Sequence, residues 1–151
     1  MRVYSYIKIG EFDKSKFNSS GIKRSLNSQY YKGSFVNFKK EGKGVEITKE
    51  YEYEGEFKND IKHGNGLIKF NNGEIYEGQF TEDKITGVGK YTWKNKHTYE
   101  GDFIDAKMHG KGTYKWPDGS EYFGDYVNNI KEGMGNFKWP NGRIYKGPFI
   151  D

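Results

Sequence analysis

The side chains that could do chemistry in this chain are few. There is no cysteine, so thiol catalysis, disulfides and cysteine-held metals are excluded. Of the three histidines, His63 and His109 each precede a glycine, two turns of a 23-residue period apart. If each period adds two strands at about 4.8 Å, the two imidazoles lie roughly 19 Å apart. A shared metal ion needs ligands at about 2 Å, so no metal site is expected. Glu54 and Glu56 have the look of a carboxylate pair, but they sit two apart on an alternating polar stretch that implies no cleft. Gly-x-Gly recurs at Gly42/Gly44, Gly64/Gly66, Gly87/Gly89, Gly110/Gly112 and Gly133/Gly135. A phosphate loop would need a strand before such glycines and a helix after them, whereas these enter strand-like alternation. We expect no catalytic residue and no cofactor.

Recognition by aromatic rings is the chemistry that remains. The columns Tyr53, Phe57, Tyr76, Phe80, Tyr91, Trp93, Tyr99, Phe103, Tyr114, Trp116, Tyr126 and Trp139 fall mostly on one face of the expected strands. Each ring could simply pack on the ring of the next copy. A single sheet layer, however, cannot hide a whole face, and a long apolar strip on a polar protein marks an interaction site. These residues are therefore the candidate partner-binding set, an aromatic groove for an amphipathic helix or an extended segment of a larger assembly. Arg2, Lys8, Lys14, Lys16, Lys23 and Arg24 are the candidate contacts for anionic lipid, though they are scattered rather than clustered.

What must position these rings is a repeat. Tyr-x-Gly-x-aromatic starts at Tyr31, Tyr53, Tyr76, Tyr99, Tyr122 and Tyr145, in steps of 22, 23, 23, 23 and 23 residues. Such a fixed period marks a repeat array. Within one copy, Tyr99, Gly101 and Phe103 alternate with acids and form one strand. Gly112, Tyr114 and Trp116 form a second, with residues 104–109 as the connecting loop and Pro117-Asp118-Gly119 as a turn. Gly73, Gly119 and Gly142 should hold positive φ. Placing Trp116 opposite Tyr122 sets Gly112 opposite Tyr126, each glycine under a cross-strand ring. It also pairs Lys69 with Glu77 and Lys90 with Asp102. The repeated acids Glu54, Glu77, Glu100, Asp102 and Asp125 then read as cross-strand partners rather than ligands. Pro148, in the last copy, suits an edge strand from Tyr145 to Phe149. Ahead of the array, Val3–Ile9 reads as a short strand and Phe12–Gln29 as loop. Residues 1–30 thus form either a cap on the first hairpin or an arm that docks elsewhere.

These residues resemble the MORN (membrane occupation and recognition nexus) repeat, whose pattern runs roughly YEGEW-x-NG-x-x-HGKGTYTWPDG. Tyr99 to Gly119 matches nearly throughout, including His109-Gly110-Lys111-Gly112. The likeness covers residues 31–151. The first copy lacks one residue and has Thr48 where Phe70, Trp93, Trp116 and Trp139 stand later, and Lys96 replaces a turn glycine. The resemblance implies an all-β fold: a single-layer antiparallel sheet of consecutive hairpins, elongated, with five hairpin copies and a terminal strand over 31–151. It implies a non-catalytic scaffold, since similar arrays occur in radial-spoke heads of cilia, in protist cytoskeletal scaffolds and on a myosin tail. Other relatives, the junctophilins and plant phosphatidylinositol phosphate kinases, imply membrane or phosphoinositide association, or a regulatory role beside an enzyme, as alternatives.

Composition agrees with a structural role. Only 33% of residues are hydrophobic while 18% are aromatic, so rings must supply the burial. Residues 1–52 hold 11 Lys/Arg against 6 Asp/Glu, and residues 53–151 hold 14 against 15, so the array is near neutral. That balance argues against nucleic acid as a partner and leaves other protein subunits as the expected ones, with at most weak membrane contact. No apolar run reaches the roughly 18 residues of a membrane-crossing helix. The first nine residues do not read as a signal peptide, and Glu11 and Asp13 count against a mitochondrial leader. The expected location is intracellular, in the cytoplasm or cytoskeleton, the cilium included and the mitochondrion left open. The oligomeric state is also left open.

Overall fold

A computed structural model describes residues 5–8, 18–24 and 29–149, with residues 5–8 and 18–19 as backbone only. Every element among the described residues is a strand: β1 (Ser5–Lys8), β2 (Asn18–Arg24), β3 (Tyr30–Val36), β4 (Lys39–Ile47), β5 (Tyr51–Lys58), β6 (Ile61–Phe70), β7 (Ile75–Thr81), β8 (Lys84–Thr92), β9 (Thr98–Ile104), β10 (Lys107–Lys115), β11 (Glu121–Val127), β12 (Ile130–Lys138) and β13 (Ile144–Phe149). Strand order is chain order. The fold is therefore the expected all-β sheet of consecutive antiparallel hairpins. The chain divides into two compact units, one running to Asn71 and including Phe80–Asp83, the other holding Asn72–Gln79 and Lys84 onward.

In the first unit β1 to β6 pair antiparallel in succession. The leader departs from expectation here. Asn18–Arg24, read as loop, is a strand whose Gly21 lies opposite Gly33, just as Gly44 does on the other side. Its polar sequence hid it, because strand pairing supplies the hydrogen bonds that side-chain pattern did not advertise. Of the expected Val3–Ile9 strand, Ser5–Lys8 is described, and Val3, Tyr4 and Ile9 lie outside the described residues. The same holds for residues 12–17 and 25–28 of the expected loop.

In the second unit β8 to β13 pair likewise. The expected register is displaced by two residues. Tyr114, not Trp116, lies opposite Tyr122, and Gly112 faces Gly124 rather than Tyr126. Lys90 faces Glu100 rather than Asp102. The physical reason is the tyrosine. Tyr99 lies flat over both Gly101 and Gly112, and a Cβ added at Gly112 would come within 2.3 Å of its ring. That ring, held within its own hairpin, already fills the space over Gly112, so Tyr126 of the next copy cannot lie there and packs beside it, opposite Gly110. The Tyr99 ring is fully buried, with Phe103 edge-on at 5.0 Å and Tyr126 of the next copy at 5.1 Å. Such pairs contribute about 0.5–1.5 kcal/mol each beyond area burial. In the first unit Tyr53 is held in the same way by Phe57 and Phe80, each at 5.1 Å.

The two glycines of Gly-x-Gly serve different ends. The second makes room for the tyrosine. The first, as at Gly110 with φ 57°, sits in a bulge where β9–β10 pairing jumps from His109 to Gly112. The bulge leaves the residue between the glycines without a partner on that side, and in three copies the acid or amide three after the tyrosine accepts its N–H. Asn65 N donates to Glu56 Oε1 at 3.1 Å, Val88 N to Gln79 Oε1 at 3.0 Å, and Lys111 N to Asp102 Oδ2 at 3.3 Å. The carbonyl of that acid takes the tyrosine hydroxyl instead, Tyr53 donating to Glu56 O at 2.9 Å. Asp102 is thus a backbone cap first. Cross-strand charge pairs do occur behind it, Lys111–Asp125 at 2.9 Å and Lys115–Glu121 at 3.2 Å, but both are well exposed and contribute little.

Two kinds of turn alternate. Residues 104–109 are no loop: β9 and β10 meet through Asp105–Ala106 alone, with φ of 47° and 61°. Asn59–Asp60, Glu82–Asp83 and Asn128–Asn129 have the same paired positive φ, the hairpin turn whose twist suits the strands. The second residue of each reaches back one copy. Asp60 Oδ1 accepts Lys40 N, Asp83 Oδ1 accepts Lys62 N and Asn129 Oδ1 accepts Met108 N, each at 2.8 Å. The other turn runs Pro117-Asp118-Gly119, with Trp116 N donating to Ser120 O at 2.9 Å. Gly73, Gly119 and Gly142 have φ of 93°, 89° and 84°, as expected, and Lys96 is held at 67°. The first copy is a residue shorter because its turn is. Thr48 N donates to Tyr51 O at 2.8 Å, and Thr48 Oγ1 accepts from Tyr51 N at 3.1 Å.

Candidate functional site

Burial divides the aromatic columns into two sets. Tyr53, Phe57, Tyr76, Phe80, Tyr99, Phe103 and Tyr126 are at most 3% exposed. They form the core and present almost no surface to a partner. Tyr91, Trp93, Tyr114 and Trp116 are half-buried, and Trp139 is 41% exposed. The distinction follows from position: each core ring lies over a glycine pair or packs edge-on against one that does, while the second set has no glycine beneath it and must stand against its neighbours.

In the second unit these neighbours make a continuous strip. Centroids step from Tyr91 to Trp93 by 4.8 Å, to Tyr114 by 5.4 Å, to Trp116 by 4.5 Å, to Phe137 by 5.4 Å and to Trp139 by 4.8 Å, all with tilted planes. Phe137 is not among the residues expected there from the sequence. Its spacing of 23 residues from Tyr114 was the available signal. Polar groups edge the strip. Tyr91 donates to Glu74 Oε2 at 2.8 Å, His97 Nδ1 shares a hydrogen bond with Tyr114 Oη at 2.9 Å, and Arg143 lies 6.0 Å from the Trp139 ring. Lys131 stands 4.8 Å over Trp116. Burial, and then the Glu74 acceptor, push the Tyr91 hydroxyl well above its usual range, so it stays a neutral donor. Among the described residues none of the three indole N–H groups has a hydrogen-bond partner.

The first copy is polar at the corresponding positions, with Glu46 and Thr48, while the second copy keeps Ile68 and Phe70 there. Glu46 stands where Tyr91, Tyr114 and Phe137 stand later, and it is 12% exposed between Lys40 and Lys62, with Lys62 Nζ 3.7 Å away. Tyr51 donates to Glu46 Oε2 at 2.9 Å, and Lys62 Nζ in turn donates to Tyr51 Oη at 2.9 Å. Burial raises the Glu46 pKa, but the Lys40 hydrogen bond and charge, with Tyr51 and Lys62 behind them, lower it overall. Every charge here has a partner, so the cluster is structural.

The remaining candidates are placed as follows. Lys23 lies opposite Tyr31, and Arg24 stands 5.7 Å over the Tyr30 ring. Lys8 is on β1, described by backbone alone, and Arg2, Lys14 and Lys16 lie outside the described residues. Among the described residues no group of His, Asp and Glu could hold a metal ion, and no helix is long and apolar enough to cross a membrane.

Fold and site together define a β-hairpin repeat protein with a ring spine inside and a ring strip on its surface. The MORN repeat model matches residues 31–49, 53–75, 76–98, 99–121 and 122–142, and the chain belongs to the MORN repeat family. That family is in general a non-catalytic repeat module. A comparison with curated proteins finds no match. Among solved structures the chain is similar to the TCP domain of SAS-4 (dCPAP) of Drosophila melanogaster, determined in complex with a proline-rich motif of Ana2 (dSTIL). The TM-score is 0.54 at 13% identity, over 93% of this chain and 88% of that one. At that identity the likeness concerns the fold.

Proposed function

We propose that the chain is a non-catalytic scaffold module that holds an extended segment of another subunit against the ring strip from Tyr91 to Trp139. The observation that carries this reading is the strip itself. Six rings in unbroken contact are left half-covered beside a spine that buries its own rings almost completely. Tyr and Trp are the residues that dominate interface energetics when a partner covers them. Membership of a repeat family used for interaction supports the reading, and so does the neighbouring fold, which was solved with a peptide of another protein. The family resemblance makes a cytoskeletal assembly, the ciliary radial spoke first, the place to look.

The test is selection from a displayed random-peptide library against the chain. Ligands so obtained should bind Trp93→Phe/Trp116→Phe poorly while its melting is little changed. They should bind Lys23→Glu/Arg24→Glu as tightly as the parent. The opposite pattern, together with loss of binding to phosphatidylserine vesicles in the charge variant, would replace this reading with membrane association.

A further inference from the structure

Taking the strip as the binding surface, its period and its donors determine what kind of segment it fits. Trp93, Trp116 and Trp139 recur once per copy, that is, every second strand, or about 9–10 Å. Ring contacts bound the same step: Trp93 reaches Trp116 through Tyr114 in moves of 5.4 and 4.5 Å, and Trp116 reaches Trp139 through Phe137 in moves of 5.4 and 4.8 Å. A polyproline II helix repeats its face every three residues at about 3.1 Å each, close to 9 Å. An α-helix presents the same face after seven residues, about 10.5 Å, and drifts out of step by roughly 1 Å per copy. A β-strand repeats its face every two residues, near 6.7 Å, and meets only alternate tryptophans in phase.

The donors point the same way. Indole offers an N–H and no acceptor, so a matching ligand brings carbonyl oxygens. A polyproline II backbone has all its carbonyls free, and proline adds no competing N–H. An α-helix has already used its carbonyls internally, except in the last turn. We infer that the strip takes a polyproline II segment with proline at every third position, lying across the strands with one turn over each of Trp93, Trp116 and Trp139.

The experiment titrates the whole chain with three end-blocked synthetic peptides of equal length, following tryptophan fluorescence and heat. One has proline at every third residue and alanine between, one has proline at every fourth, and one is an alanine-rich helix with leucine at every seventh. The first should bind, and the second should bind about tenfold more weakly because its prolines leave the period. The helix should not compete. Trp116→Phe keeps the ring but removes one N–H, and should weaken the first peptide about 2- to 10-fold, the range of one neutral hydrogen bond. Equal affinity for the two proline spacings, preference for the helix, or no binding by any of the three overturns the inference. The broader reading survives that failure if library-selected ligands of another shape still depend on Trp93 and Trp116, and falls only if they do not.

Discussion

Ala106, unlike Asp60, Asp83 and Asn129, is a second-turn residue whose side chain carries no oxygen to reach back to the preceding hairpin. Its backbone is already in place, with Ala106 N donating to Ile85 O at 3.0 Å, as Asp83 N does to Lys62 O at 3.1 Å. Asparagine at 106 should therefore present its Oδ1 to Ile85 N much as Asn129 presents its own to Met108 N at 2.8 Å. Two gains follow. The residue sits at φ 61°, where an L side chain costs about 1–2 kcal/mol and asparagine tolerates it best. A neutral hydrogen bond adds about 0.5–1.5 kcal/mol. Allowing for incomplete gains, Ala106→Asn should stabilise the second unit by about 1–2 kcal/mol, or a few degrees in Tm for a chain of this size. Repeat proteins need not unfold in one step, so the assay is hydrogen exchange at β8 to β11 beside a urea melt. Ala106→Gly separates the contributions, since it relieves φ without supplying an oxygen. If Gly matches Asn, the inter-copy hydrogen bond contributes nothing, and the account of Asp60, Asp83 and Asn129 fails with it.

Other outcomes follow from the same geometry. Gly112→Ala should destabilise by about 3 kcal/mol or more, since its Cβ meets a ring at 2.3 Å that is fully buried and has nowhere to go. Gly119→Ala has open space around it and should cost only about 1 kcal/mol for its positive φ, so equal urea midpoints for the two would refute the cradle. Tyr126→Phe restores the ring type of the other copies and removes a buried hydroxyl without a partner among the described residues. It should stabilise by about 1 kcal/mol in a thermal melt, and a loss would show that the hydroxyl is satisfied. Glu46 has a lowered pKa in the fold, so its stabilisation is complete above the ordinary glutamate value of 4.5 and fades as pH falls through and below it; Glu46→Gln should flatten that acid limb of stability. Tyr76 and Tyr99 are pushed by burial up to about 12, so stability should hold to about pH 10, the ordinary tyrosine value, and decline toward 12, with the buried tyrosines' share of tyrosinate absorbance rising only as the fold melts.

Much of this architecture was legible in the sequence because it is local and repeated. Alternation assigned Tyr99, Phe103 and Tyr114 to one face and Glu100, Asp102 and Lys111 to the other. The 23-residue step required hairpins, and Gly73, Gly119 and Gly142 marked turns that only positive φ can close. What it left open is instructive. Side chains in a strand repeat every two residues, so a slip of two moves no residue to the other face. Pattern alone could not choose between Tyr114 and Trp116 as the partner of Tyr122. The choice belongs to packing, because Tyr99 already fills the space over Gly112 and Tyr126 must pack beside it, opposite Gly110. The same packing decides which rings are interior: Tyr99 and Trp116 look alike in sequence, yet one lies in a two-glycine cradle and the other on the surface beside Tyr114. Asn18–Arg24 becomes a strand because β3 offers it a ladder, an event its own composition does not announce. The chain thus determined by itself its period, its faces and its turns, while register, cradle and exposed strip were decided in three dimensions, where neighbouring copies compete for the same space.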